Sequence, residues 1–206
     1  MIISWHGEGC FKIQNGDTVV LVDPIQKESG LSVPRFKTDL VIRTITPWPK
    51  KEEEDDATTI WGAGEYDRSG IKVRGSQLAQ ESQKSFFKTA YSLLWDDVSI
   101  GLLGALEQPL SPEIMTGMEE VDVLIGPGGG DPFIDQKEMN KLIKKLNPKI
   151  FIPSFFKVSG LKRKAQDIKK MEEEFDGDIE KNQEKLVFKK KDLADIKKTK
   201  MVYCKV

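Results

Sequence analysis

The 206-residue sequence predicts an α/β domain of the α+β type, and we expect one domain over residues 1–206. Two patterns carry this prediction. The first half of the chain is a run of short apolar segments separated by turn residues, which is typical of β-strands. The second half alternates apolar strands with amphipathic segments, and a hydrophobic content of 38% is enough to build a core.

Short strands dominate the first half. Asn15-Gly16-Asp17 and Asp96-Asp97 separate pairs of apolar segments and predict hairpin turns, because Asn, Gly and Asp tolerate the backbone that such turns need. We expect surface loops over 50–56, which is charged, and over 76–84, which is rich in Ser and Gln. The predicted strands cover 2–6, 10–14, 18–22, 39–45, 71–74, 89–95 and 98–103.

Helices enter in the second half. Ser111-Pro112 is typical of a helix start, with Ser at the cap and Pro in the first turn. One helical face is predicted from the spacing of Met139, Leu142, Ile143 and Leu146. A charged helix is predicted over 161–175, and strands over 121–125, 149–152, 186–188 and 201–206. We expect a core of residues 1–160 and a mobile C-terminal elaboration over 161–206.

Charge and composition exclude several classes of protein. The 32 Lys and Arg residues nearly cancel 33 Asp and Glu residues, which argues against a protein that mainly binds nucleic acid or an anionic membrane. No apolar run approaches the roughly 20 residues of a membrane helix, and no signal peptide is visible. With only Cys10 and Cys204, we expect a cytoplasmic protein without a disulfide scaffold. The single histidine, His6, excludes a zinc enzyme built on several histidines.

Four stretches of sequence nevertheless occur in an order that resembles a known family. They are SWHGEGCFKI at 4–13 with VVLVDP at 19–24, GAGEYD at 62–67, VDVLIGPGG at 121–129 and LNPKIFIP at 146–153. Together they resemble the metallo-β-lactamase fold superfamily, and within it the small predicted zinc-dependent hydrolases that include the L-ascorbate-6-phosphate lactonase group. The resemblance implies an αββα sandwich, in which two mixed β-sheets pack together with helices outside.

The resemblance also implies a zinc site, but the matching positions hold residues that do not bind zinc. The H-x-H-x-D-H motif of the family, its bridging aspartate and its last histidine fall on Ile45, Pro47, Pro49, Lys50, Ala105 and Phe155. The window 78–82, where a further family histidine is expected, offers only Gln and Glu. Zinc needs imidazole, thiolate or carboxylate donors, and without a metal nothing lowers the pKa of a bound water.

We therefore expect no cofactor, no bound metal and no catalytic residue of the family type. The leading hypothesis is a non-catalytic homologue with a binding or structural role, whose partner is an unidentified protein or a small ligand. The alternative is a hydrolase with relocated acid–base chemistry in the same cleft, without zinc.

Four weaker candidates for that cleft are His6, Glu8, Glu65 and Asp131. No Ser, Cys or Asp partner is positioned beside His6 by the sequence, which favours a partly buried strand residue over a general base. Glu8 lies where relatives often carry a histidine, although a solvated loop carboxylate fits as well. Glu65 fits packing or turn geometry. Asp131 follows the glycine-rich loop 126–130, which lacks the Lys-Ser/Thr of a phosphate-binding loop.

A third hypothesis is a structural subunit that pairs with itself or with an active homologue. Trp48, Trp61, Phe86 and Phe87 lie in loop-like contexts and are candidates for such an interface. The lysine run 189–191 is followed by acidic residues and has no interleaved aromatic residues, which favours a solvated face. We accordingly expect no nucleic-acid partner and no membrane partner.

Overall fold

The computed structural model describes residues 1–49 and 58–206, and these residues build two mixed β-sheets. The first sheet holds, in spatial order, β14 (Leu186–Val187), β1 (Ile2–Trp5), β2 (Phe11–Asn15), β3 (Thr18–Val22), β4 (Leu40–Arg43) and β6 (Thr59–Trp61). Strands β14 to β3 run antiparallel to their neighbours, whereas β3, β4 and β6 are parallel.

The second sheet is the larger one. In spatial order it holds β13 (Ile179–Gln183), β15 (Lys200–Cys204), β12 (Ile150–Ser154), β11 (Val123–Pro127), β10 (Val98–Leu102), β9 (Phe86–Trp95), β8 (Ile71–Gln77) and β7 (Gly64–Arg68). Pairing is parallel from β13 to β10 and antiparallel from β10 to β7. The short strand β5 (Ile45–Pro47) pairs with β9 beside this path.

The two sheets face each other across one continuous core. Ile13 and Ile42 from the first sheet belong to the same cluster of buried side chains as Tyr91 and Ile100 from the second. The helices are α1 (Pro112–Thr116), α2 (Gln136–Leu146), α3 (Lys169–Glu174) and α4 (Lys190–Ala194), with a 3-10 turn at Lys27–Ser29. The α/β fold class, a sandwich of two mixed sheets with few helices, is thereby confirmed.

Local signals place several elements correctly. The β2–β3 turn contains Gly16 at φ +56°, and the β9–β10 turn contains Asp96 and Asp97 at φ +46° and +62°. Ser111 caps α1, since its hydroxyl accepts the backbone N–H of Ile114. Met139, Leu142, Ile143 and Leu146 are all buried on one face of α2. In the described part of the chain, no helix is long and apolar enough to cross a membrane.

The strand predicted over 39–45 is in fact two strands in different sheets. Strand β4 ends at Arg43, and β5 begins at Ile45 in the second sheet. Thr44 lies at the crossing point: its backbone N–H donates to Asp23, and its carbonyl accepts the N–H of Thr89 on β9. A local apolar pattern cannot show this change of sheet, because both partners of Thr44 are distant in sequence.

The helix predicted over 161–175 is wrong for its first half, since only Lys169–Glu174 is helical. Tertiary contacts hold the preceding residues in an irregular path. The N–H of Lys162 donates to Ser29, and the carbonyl of Gln166 accepts the N–H of Lys157. These bonds take the place of the internal helical bonds that the apolar spacing suggested.

The C-terminal region, expected as an elaboration of the core, contributes a strand to the larger sheet. Strand β15 lies between β12 and β13 inside the larger sheet, and the Met201 and Val202 side chains are fully buried. The sequence prediction also missed strands β6, β7 and β13 and helix α4. The loop predicted over 50–56 lies outside the described residues. The loop predicted over 76–84 is partly wrong, because β8 extends to Gln77 and Glu81 is buried.

Candidate functional site

One cavity collects several of the positions at which the resemblance implies metal ligands. It has a volume of about 300 Å³ and lies where the loops after β1, β3 and β12 meet the segment that joins β4 to β5. The side chains that decide its chemistry are Glu8, Asp23, Arg43, Ile45, Pro47 and Phe155. The sequence patterns gave no reason to single out Asp23 or Arg43, which line the cavity with the others.

The backbone around this cavity is unusual. Glu8, Asp23 and Phe155 all have a positive φ, at +50°, +41° and +55°. Such conformations cost non-glycine residues of the order of 1–3 kcal/mol each and persist only where the surroundings impose them. Here the N–H of Phe155 donates to the Glu8 carbonyl at 3.3 Å, and the N–H of Asp23 donates to the Ile42 carbonyl at 2.9 Å. The first bond joins the loops after β1 and β12, and the second fixes the start of the loop after β3 to strand β4.

Asp23 is a half-buried acid in the wall of the cavity. Its carboxylate accepts the backbone N–H of Thr44 at 2.7 Å and the Thr44 hydroxyl. Burial raises the pKa of the Asp23 carboxyl from 3.8 to about 6, and it outweighs the opposing effects of the Thr44 hydrogen bonds and the Arg43 charge. The Thr44 contacts give Asp23 a structural role at the crossing between the sheets.

Glu8 is bound by an arginine from the far end of the chain. Nε and Nη2 of Arg163 lie 3.2 and 3.1 Å from the two carboxylate oxygens of Glu8, and Nη2 also donates to the Phe155 carbonyl at 3.2 Å. The same guanidinium lies 5.0 Å from the ring centre of Phe133, which packs against Phe155. Arg163 thus compensates the charge of Glu8 and links Glu8 to Phe155, two residues that line the cavity.

Two further positions implied by the resemblance, Pro49 and Ala105, are not part of the cavity wall. Pro49 is exposed, and Ala105 is 4% exposed within the core. Lys50 lies outside the described residues. Ala105 contributes its carbonyl rather than a side chain, since that carbonyl accepts a hydrogen bond from the ammonium of Lys88 at 2.7 Å.

Lys88 is a buried cation close to the positions expected to bind metal. It is 4% exposed, and its Nζ lies 3.1 Å from Glu81 and 2.7 Å from Glu107. Glu81, in the window 78–82, also accepts the backbone N–H groups of Glu107 and Gln108. Lys88 is paired directly with Ile45 between β9 and β5, and directly paired residues project to the same face. No pattern in the sequence marks Lys88 as buried.

His6 does not line the cavity. It lies in the loop after β1, where its backbone N–H donates to the Cys10 carbonyl and its ring packs 5.8 Å from Phe36. Its Nε2 is buried without a hydrogen-bond partner in the described part of the chain. Burial and the neighbouring Lys12 charge lower its pKa. Cys10 is buried as well, and burial raises the pKa of its thiol to about 12, which opposes a nucleophilic role.

Glu65 and Asp131 are also outside this cavity. Glu65 lies on edge strand β7 opposite Arg74, at a separate cavity of about 470 Å³ on the outer face of the sheet. Asp131 is exposed after the glycine-rich loop. A Cβ on Gly129 would lie 2.4 Å from the Phe155 carbonyl, which shows that this loop needs glycine for packing. Of the four weaker candidates, only Glu8 reaches the cleft.

Three of the four aromatic residues considered for an interface, Trp48, Trp61 and Phe87, form a surface cluster. The Trp48 ring centre lies 5.1 Å from that of Phe87 and 6.4 Å from that of Trp61. Trp48 is 44% exposed, and the three side chains line a groove of about 520 Å³. Whether the groove takes part in self-association stays a prediction.

The side chains of the cavity do not fit a histidine-rich zinc site. Ile45, Pro47 and Phe155 offer a metal no lone pair, and the Glu8 carboxylate is already bound by Arg163. Within residues 1–49 and 58–206, no group of three or more His, Cys, Asp and Glu side chains is placed to hold a metal ion. The loss of every family ligand stays a prediction, because Lys50 is not described.

Comparison with known families supports the fold. A family model described as the beta-lactamase superfamily domain matches residues 2–154. No curated protein sequence matches the chain.

Solved structures give the same architecture. A predicted Zn-dependent hydrolase of the metallo-beta-lactamase superfamily from Thermotoga maritima superposes with a TM-score of 0.80 at 22% identity, over 100% of this chain and 98% of that one. Igni18, a metallo hydrolase from Ignicoccus hospitalis, superposes with a TM-score of 0.61 at 16% identity. The match covers 79% of this chain and 86% of that one. An isothiocyanate hydrolase from Delia radicum gut bacteria superposes with a TM-score of 0.60 at 12% identity. The match covers 84% of this chain and 90% of that one. At these identities the likeness shows the fold alone.

Proposed function

The chain belongs to the beta-lactamase superfamily, and from this premise we propose that it is a non-catalytic homologue whose cleft binds a small ligand without a metal. The proposal keeps the scaffold of the family and assigns a different use to its cleft.

The observation that carries the proposal is the buried ammonium of Lys88. It binds the carbonyl of Ala105, at the position implied for the bridging aspartate, and it is paired with Ile45, implied for the first histidine. The ammonium occupies this place and engages the carboxylates of both Glu81 and Glu107, so neither carboxylate is free to bind a metal.

The wall of the cavity supports the same proposal. Ile45, Pro47 and Phe155 present apolar surface where the family chemistry needs donors. Without a metal, a water in this cavity keeps a pKa far above neutral and is a poor nucleophile. The cavity remains open and partly polar, which suits binding of a small molecule.

The test is the metal content of the purified protein. The chain is produced with zinc and manganese supplied, purified without chelator, and its metal is measured by inductively coupled plasma mass spectrometry. We expect much less than one equivalent, and the same thermal midpoint with and without a chelator. One tightly bound equivalent, whose removal lowers the midpoint, would overturn the proposal.

The alternative is hydrolysis without a metal, for which the described residues of the cavity offer Glu8 and Asp23 as carboxylates. Both are already engaged, Glu8 by Arg163 and Asp23 by Thr44, which favours binding over catalysis. Turnover of small esters or lactones that is lost in Asp23→Asn would favour this alternative.

A further inference from the structure

Among the described charged residues of the cavity, Arg43 is the one whose guanidinium forms no hydrogen bond or ion pair, although its charge acts on Asp23. Its side chain lines the cavity, and no hydrogen bond or ion pair of its guanidinium is formed within residues 1–49 and 58–206. An arginine presents five N–H donors in a planar fork that matches a carboxylate with two parallel hydrogen bonds. The cavity therefore has an unused anion-binding group.

The other charges limit how much negative charge a ligand can bring. Glu8 is compensated by the two contacts from Arg163, whereas Asp23 faces the same space as Arg43. Burial raises the Asp23 pKa to about 6, so this carboxyl takes up a proton close to neutral pH when another anion approaches. A doubly charged anion would be repelled by the carboxyl groups of Glu8 and Asp23. One negative charge suits the site better than two.

The opposite wall of the cavity is apolar and favours a ligand with a hydrocarbon part. Ile45 is 38% exposed, Pro47 is also exposed, and the ring of Phe155 lies beside them. A ligand that covers these side chains removes apolar surface from water. A volume of about 300 Å³ lies at the lower end of the range for small-molecule sites, which excludes large ligands.

We propose that the ligand is a small monocarboxylic acid, with its carboxylate on the guanidinium of Arg43 and its hydrocarbon part against Ile45, Pro47 and Phe155. This inference rests on the proposed function, since it names the ligand class of the same cleft.

The experiment compares four probes by titration calorimetry on the full chain: benzoate, hexanoate, inorganic phosphate and benzyl alcohol. We expect saturable binding of benzoate and hexanoate. Phosphate lacks the apolar body and benzyl alcohol lacks the charge, so both bind at least tenfold more weakly.

Variants then identify the binding group. Arg43→Gln weakens benzoate binding about 10- to 100-fold, as expected for loss of a charge-assisted pair, and Arg43→Lys weakens it less. Arg74→Gln, at an exposed arginine on the outer face of β8, leaves the affinity unchanged. Thermal midpoints without ligand show that each variant is folded.

Three results overturn the inference: no carboxylate binding, phosphate binding as tight as benzoate binding, or full affinity in a folded Arg43→Gln variant. Each leaves the metal content untouched, so the failure is distinguishable from failure of the proposed function. A stoichiometric metal would overturn the proposed function whatever the probes do.

Discussion

The ammonium of Lys88 holds together residues that are distant in the chain. It joins Glu81 before β9 to Ala105 and Glu107 after β10. Lys88 and Glu81 are both nearly inaccessible, so removal of the lysine leaves a buried carboxylate without its counter-charge.

We expect Lys88→Met to lower the free energy of unfolding by about 3–5 kcal/mol, measured by urea denaturation. Lys141→Met, which removes an exposed lysine paired with Glu138 on α2, is the matched control and costs less than about 1 kcal/mol. Adding Glu81→Gln to Lys88→Met recovers part of the loss. A cost equal to that of the control contradicts a buried charge pair.

The raised pKa of Asp23 predicts that the stability of the folded chain depends on pH. Its pKa is about 6 in the folded chain and near 3.8 when exposed, so the folded state binds more protons between these values. Stability from this group is highest below about pH 4, falls as pH rises to about 6 and then stays low. Asp23→Asn keeps an acceptor for Thr44 and carries no charge.

We therefore expect Asp23→Asn to gain stability relative to the wild type as pH is raised from about 4.5 to 7, measured as the difference in free energy of unfolding. Asp17→Asn, in the exposed β2–β3 turn, is the control. A difference between wild type and Asp23→Asn that does not change with pH argues against a raised Asp23 pKa.

At the scale of elements, β15 decides whether the C-terminal region is an appendage or part of the fold. It is hydrogen-bonded to β12 on one side and β13 on the other, and Met201, which pairs with both neighbours, has no exposed surface. A strand inside a sheet contributes its full burial to the stability of the whole domain.

We expect Met201→Ala to lower the free energy of unfolding by about 2–5 kcal/mol through the cavity it creates, measured by denaturant titration in a single cooperative transition. Val206→Ala, at a residue 57% exposed after the end of β15, is the control and has an effect below about 0.5 kcal/mol. A small effect of Met201→Ala would mean that β15 is detachable.

At the scale of the whole molecule, the order of motifs predicted the superfamily, although the sequence positions implied for its ligands hold Ile, Pro, Lys, Ala and Phe. Turn residues and apolar strand patterns depend on neighbouring positions in the sequence. They therefore do not depend on which side chains stand at the metal-ligand positions. The described residues give a sandwich in which the implied ligand positions Ile45, Pro47 and Phe155 still meet at one cavity. Three of the implied ligand positions therefore share one cavity in this fold, although their side chains carry no metal donor.

The sequence by itself determined the fold class, both hairpin turns, the buried face of α2 and the residue types at the cleft. Only the tertiary structure decided that β5 changes sheet, that β15 enters the larger sheet, and that Arg163 binds Glu8 across 155 positions. The reason is physical. Turns and helical faces depend on residues within a few positions, whereas sheet pairing and buried ion pairs depend on partners that only the folded chain brings together.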